Sequence, residues 1–172
     1  MQKLIGVVLI VASSTGMGYL KGVNLSKNLM EMQEIRRIFL MLRSEVAYTK
    51  SPFGEAFYRI AERTYGKYKE WLFFLAESLN QRSGHTFFEL WQHALERYFS
   101  DTHLDKRNLE LLKNMGTNMG YLDREMQVGA IDLYLEQLKL NIRKMQEELP
   151  EKRRILNCLG VMGGIFVAVV LV

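Results

Sequence analysis

Two long uncharged runs, one at each end of the chain, limit what this sequence can become. Leu4 to Leu20 gives 17 consecutive residues without a charge, and Ile155 to Val172 gives 18 more. A helix needs about 20 apolar residues to cross a bilayer core, with roughly 17 as the lower bound. The first run gains length through the weakly polar continuation to Leu25, and the second contains the unbroken stretch Ile165 to Val172. Ser13, Ser14, Gly16 and Gly18 dilute the first run but suit close helix packing in lipid. The pattern predicts a transmembrane helix over 1–23, a soluble helical domain over 24–151 and a second transmembrane helix over 152–172.

Charge placement gives the orientation. Lys21, Lys27, Arg36 and Arg37 lie on the domain side of the first run, against Lys3 and the terminal amine beyond it. Lys152, Arg153 and Arg154 lie on the domain side of the second, with no basic residue after them. Basic residues stay on the inner face of a membrane, so Lys21, Lys152, Arg153 and Arg154 read as membrane flanks and the middle domain is expected in the cytoplasm. The competing reading is a cleaved signal peptide, with Leu4 to Ala12 as its apolar core and a cut near Ala12 to Ser14. It would export the domain and leave the basic cluster outside, against the charge rule. The net charge of +4 is modest, and acidic and basic residues interleave through the middle. A nucleic-acid binder would show a one-sided basic face, so no nucleic-acid partner is expected. The single Cys158 cannot form an internal disulfide and reads as a small apolar residue of the second run.

The middle is rich in good helix formers and the whole chain contains only two prolines, Pro52 and Pro150, so long helices are permitted almost everywhere. Ile35, Phe39, Leu42 and Val46 form one helical stripe, and Leu25, Leu29 and Met32 extend it back toward the first run. Ser51 is placed to cap a second helix with Pro52 at its first position. Gly66 breaks the chain before a third helix over about 68–82, and Ser83-Gly84 makes the next turn. Thr86 with Glu89 three residues on reads as a capping box for a fourth helix carrying Leu90, Trp91, Leu95 and Tyr98. A fifth helix is expected to carry Leu111, Met115 and Met119 and to end at Gly120. Asp123 caps the last, whose apolar positions Ile131, Leu135, Leu138, Ile142, Met145 and Leu149 are spaced four, three, four, three, four. That seam packs on the first soluble helix or on a partner chain, and Pro150 breaks or kinks the helix after it. The fold class is all-α, an antiparallel bundle of about six helices flanked by N- and C-terminal transmembrane helices.

Catalytic signals are sparse. His85, Glu89 and His93 share one helix face and define an alternative, a metal-dependent membrane enzyme, but zinc sites need further ligands that nothing nearby supplies. A solvated polar face is the plainer reading. No nucleotide-binding Gly-rich sequence occurs, and Gly116, Gly120 and Gly129 read as close helix approaches and a turn. No catalytic residue, metal site or cofactor is expected. Met30, Met32, Phe39, Met41, Phe73, Phe74, Phe87 and Phe88 exceed one narrow core stripe, and some of this surplus marks a partner surface.

Three segments carry a family resemblance: Leu42-Arg43-Ser44-Glu45-Val46-Ala47-Tyr48 leading into Ser51-Pro52-Phe53-Gly54-Glu55-Ala56-Phe57; Met115-Gly116-Thr117-Asn118-Met119-Gly120 followed by Asp123 and Gln127; and Lys152-Arg153-Arg154 entering Leu159-Gly160-Val161-Met162-Gly163-Gly164. In their order and spacing the chain resembles the stage III sporulation protein AB family over nearly its whole length. Methionine or phenylalanine stands at several sites where the family pattern has leucine, a swap that preserves a core. The family is itself similar to the cytoplasmic domains of platform proteins in type II secretion and type IV pilus machines. The resemblance implies a non-enzymatic scaffold in the mother-cell membrane, part of the channel complex between mother cell and forespore. Its partners would be membrane lipid and the other stage III A sporulation proteins, including a cytoplasmic ATPase. The segment 45–57 and the turn 116–127 are the expected docking surfaces, with Glu45, Tyr48, Pro52, Phe53, Asp123, Arg124 and Gln127 as candidates. A simple homo-oligomeric membrane anchor is the remaining alternative.

Overall fold

The structure, a computed structural model, describes the backbone of residues 2–49, 51–81, 84–117 and 119–171, and only some of the side chains within 2–18 and 157–171. Among the described residues there are six α-helices and no strand, so the chain is all-α. The helices are α1 (Gln2–Ser44), α2 (Phe53–Glu62), α3 (Gly66–Asn80), α4 (Phe87–Tyr98), α5 (Lys106–Met115) and α6 (Arg124–Leu171). Contacts divide the chain into two compact units, Met1–Met30 with Ile142–Val172, and Glu31–Asn141.

In the unit Glu31–Asn141 the stripe expected on α1 is the core face: Ile35, Ile38, Phe39, Leu42 and, just past the helix, Val46 are all buried. Residues Glu45–Thr49 widen into a π-helical turn, a local loosening common where a helix ends at a site under other constraints. Phe39 packs against Trp91 of α4 and Tyr134 of α6, with ring centroids 6.3 and 4.5 Å apart. Trp71 of α3 lies edge-on between Trp91 and Phe99, at 5.3 and 5.1 Å. Each such ring removed from water contributes about 2–3 kcal/mol, comparable to each of the buried leucines and isoleucines packed around the cluster.

The α2–α3 hairpin turns at Gly66, whose φ of +58° is open to glycine at little cost. Thr64 ends α2 by donating its hydroxyl to the Ile60 carbonyl at 2.7 Å. The helices return antiparallel, because Gly54 at the start of α2 meets Asn80 at the end of α3; a Cβ there would fall 2.5 Å from Asn80 Oδ1. Thr86 and Glu89 form the expected capping box: Thr86 N donates to Glu89 Oε2 at 2.8 Å, and Glu89 N to Thr86 Oγ1 at 3.3 Å.

Three expectations are corrected. Pro52, not Ser51, precedes the first turn of α2, and α2 has no side-chain cap. The helix α5 stops at Met115 rather than Gly120, so Met119 is buried from a turn and not from a helix. Two glycines four residues apart hold little helix propensity, and aromatic rings occupy the space beside both. Pro150 does not break α6, which runs on to Leu171. The missing N–H of Pro150 removes one bond, to the carbonyl of Gln146, a residue on the exposed side of the helix. The expected Ser83-Gly84 turn lies partly outside the described residues; Gly84 has φ +76°.

In the unit Met1–Met30 with Ile142–Val172, the Gly22 carbonyl accepts bonds from Ser26 Oγ at 3.2 Å and from Arg153 Nε at 3.3 Å. Among the described residues no helix is long and apolar enough to cross a membrane. Most of the apolar side chains of the two terminal runs lie outside the described residues.

Candidate functional site

The two segments expected to dock partners converge through α4. Phe53 stacks on Phe57, with centroids 5.8 Å apart, and packs tilted against Phe87 at 5.3 Å. Phe87 in turn fills the space beside Gly120, where a Cβ would come within 2.8 Å of the Phe87 Cβ. One turn along α4, the Trp91 indole covers Gly116 so closely that any side chain there would overlap it, and its Nε1 donates to the Leu112 carbonyl at 3.0 Å. The glycines of the 115–120 segment are therefore seats for aromatic rings, in keeping with their reading as close approaches.

Of the seven docking candidates, four are engaged within the fold. Glu45 is mostly buried and accepts from Arg59 at 3.2 Å, while Arg59 also reaches Glu55 at 3.0 Å. Phe53 belongs to the aromatic stack. Asp123 caps α6, its Oδ1 accepting from the Met126 amide at 2.9 Å. Gln127 donates to the carbonyls of Met119 and Leu122, each at 3.1 Å, and so ties the turn to the helix. Tyr48, Pro52 and Arg124 are exposed. Tyr121, which sequence reasoning did not single out, is 78% exposed three residues before Arg124.

Two ionic clusters brace this bundle. Arg43 at the end of α1 makes a bidentate pair with Asp132 of α6. Hydrogen bonding to that guanidinium holds the Asp132 carboxyl below its ordinary range. Glu31 accepts from Thr102 Oγ1, from Lys67 Nζ at 2.9 Å and from the His103 amide at 3.2 Å, with His103 Nδ1 also at 3.2 Å. Burial pushes the Glu31 carboxyl up, but bonds from Thr102, Lys67 and the His103 backbone outweigh it and hold the group below its usual value. No local pattern marks Glu31, because its partners lie 36 to 72 residues away.

His85, Glu89 and His93 line one recess along α4. Glu89 is engaged in capping α4, His85 Nδ1 stands 3.6 Å from it, and His93 packs on Phe74 with centroids 5.6 Å apart. Among the described residues no three His, Cys, Asp or Glu side chains gather as a metal-ligand set. Of the membrane-flank candidates, Lys21 and Arg154 are exposed, Lys152 pairs with Glu148 at 2.6 Å, and Arg153 bonds the Gly22 carbonyl.

A chain whose polar groups cap and brace its own helices, and whose glycines seat aromatic rings, belongs to the class of all-helical bundles. The pattern of one family, described as stage III sporulation protein AB, matches residues 3–172, and the chain belongs to that family. Stage III sporulation protein AB of Bacillus subtilis (strain 168) is 23% identical over 171 residues, covering 99% of each chain. A solved structure of a stage III sporulation protein AB shares the fold with a TM-score of 0.64 at 21% identity, over 72% of this chain and 96% of its own. The family is named for a stage of sporulation, and the chain is a sporulation protein of that family.

Proposed function

We propose that the chain is a two-span membrane subunit of the channel complex joining mother cell and forespore, a platform on which a cytoplasmic ATPase docks. In this reading residues 24–151 face the mother-cell cytoplasm, and the other stage III A proteins are its neighbours. The convergence of segments 45–57 and 116–127 through Phe53, Phe87 and Gly120 carries the docking claim. It leaves Tyr48, Pro52, Tyr121 and Arg124 exposed on the segments that join there. Tyrosine and arginine are the side chains that dominate binding energy at protein interfaces, since each pairs a large contact area with a polar tip. Membrane insertion is supported by the uncharged runs of 17 and 18 residues and the basic residues inboard of both.

Co-purification of the ATPase with the full chain tests the docking. Tyr48→Ala combined with Arg124→Glu is expected to lower recovery by about tenfold or more, the scale of a lost interface hot spot. Lys106→Glu, at the start of α5, is expected to leave it unchanged. Equal recovery with all three proteins would remove this end of the bundle as the docking surface.

A further inference from the structure

The helix α6 carries a second apolar seam that its own chain leaves uncovered. Ile131, Tyr134, Leu135 and Leu138 are buried in the bundle, as the heptad spacing predicts. On the opposite side of the same helix, Met126, Leu133 and Leu140 recur every seven residues and are 58, 64 and 58% exposed. Ala130 and Gln137 fall between them, so 126, 130, 133, 137 and 140 follow the four–three alternation of a coiled-coil seam. A surface helix of a globular bundle needs one such stripe; a helix with two has a second partner. Leu133, Ala130 and Gln137 also line a groove of about 250 Å³ against Leu111 and Met115 of α5, so the seam borders a recess rather than a smooth face.

We propose that a second copy of this chain covers the seam, with the two α6 helices parallel and in register between residues 126 and 141. In that register each exposed apolar residue meets its own counterpart, and the two Gln137 amides, each a donor and an acceptor, bond to each other. A lone polar pair in an otherwise apolar seam fixes register at some cost in stability. The flanks agree: Glu136 falls opposite Asn141, so no like charges are opposed across the seam. The antiparallel alternative that meets Leu133 with Gln137 sets Glu136 against Glu136. Two chains anchored in one bilayer also run in the same direction, and for this point alone the proposal rests on the membrane reading above. Three apolar layers make a small interface, and confinement to a membrane raises the effective concentration at which it forms.

Disulfide crosslinking of the full chain in native membranes tests this, in a Cys158→Ala background. Leu133→Cys and Leu140→Cys are each expected to give a disulfide dimer of twice the chain mass. Lys139→Cys, exposed but off the seam, is expected to give none. Adding Leu133→Glu to the Leu140→Cys variant is expected to reduce its dimer at least tenfold. Equal dimer at position 139, no dimer at 133 and 140, or a product joined to a protein of different mass would each overturn the proposal. Fractionation of the same sample reports membrane anchoring separately, and the crosslinks read the same in either fraction.

Discussion

Gly116 shows how a single residue without a side chain can organise a surface. The Trp91 indole lies where a Cβ would stand, and its Nε1 bond to the Leu112 carbonyl fixes the ring there. Gly116→Ala forces the ring off this seat and is expected to cost about 1–3 kcal/mol, the range for overpacking a filled site. Both tryptophans of the chain, Trp71 and Trp91, are buried together, so urea unfolding followed by tryptophan fluorescence reads the loss directly. Glu31 acts through charge instead. Its carboxyl is held below its ordinary 4.5, so the unfolded chain takes up a proton first. The stability it contributes is present above pH 4.5 and is lost as pH falls through the lower folded value. Glu31→Gln is expected to cost about 1–3 kcal/mol at neutral pH, as when a charged hydrogen-bond acceptor is removed from its donors. The gap between wild type and variant should close below pH 4.5, and a gap constant from pH 7 to 3 would contradict the assignment. The two residues differ in how much of their role the sequence discloses. Gly116 is readable in the sequence as a close approach, though not as the end of α5, whereas Glu31 looks like any surface acid until Lys67, Thr102 and His103 are folded against it.

At the scale of elements, local chemistry predicts starts better than ends. The capping box at Thr86 and Glu89 and the cap at Asp123 need only three-residue spacing, and both form. Thr86→Ala removes the acceptor for the Glu89 amide and is expected to destabilise by about 1 kcal/mol, seen as a lower urea midpoint with an unchanged slope. The Asp105 cap of α5, accepting from the Asn108 amide at 2.8 Å, obeys the same rule. It is hidden in the sequence because the preceding stretch 100–104 offers several polar residues in a row. The ends depend on tertiary context, as α5 and Pro150 both show. The α6 seam is a further case. Its heptad at Ile131, Leu135 and Leu138 is plain in the sequence and is buried, yet Met126, Leu133 and Leu140 keep an equally regular period. Periodicity alone cannot say which of two stripes a chain covers by itself, because both satisfy the same spacing.

At the scale of the whole molecule, the claim that matters is where residues 24–151 sit. In the proposed function the apolar runs and basic flanks put them on the inner side of the membrane, while a cleaved leader would put them outside. Tyr121 is exposed in the turn of the 116–123 segment, so Tyr121→Cys in a Cys158→Ala background offers a reporter that leaves the core untouched. In intact sporulating cells a membrane-impermeant maleimide is expected to leave this cysteine unlabelled, and to label it fully once the membrane is permeabilised. Retention of the first run is read from the same sample by mass, because cutting near Ser14 would shorten the chain at its N-terminus. Labelling in intact cells, or a shortened chain, would place the bundle outside and remove both the platform role and the ATPase as its partner. The aromatic core, the braced carboxylates and the second seam on α6 would stand either way, since they follow from contacts and exposure within the unit 31–141 and not from the membrane.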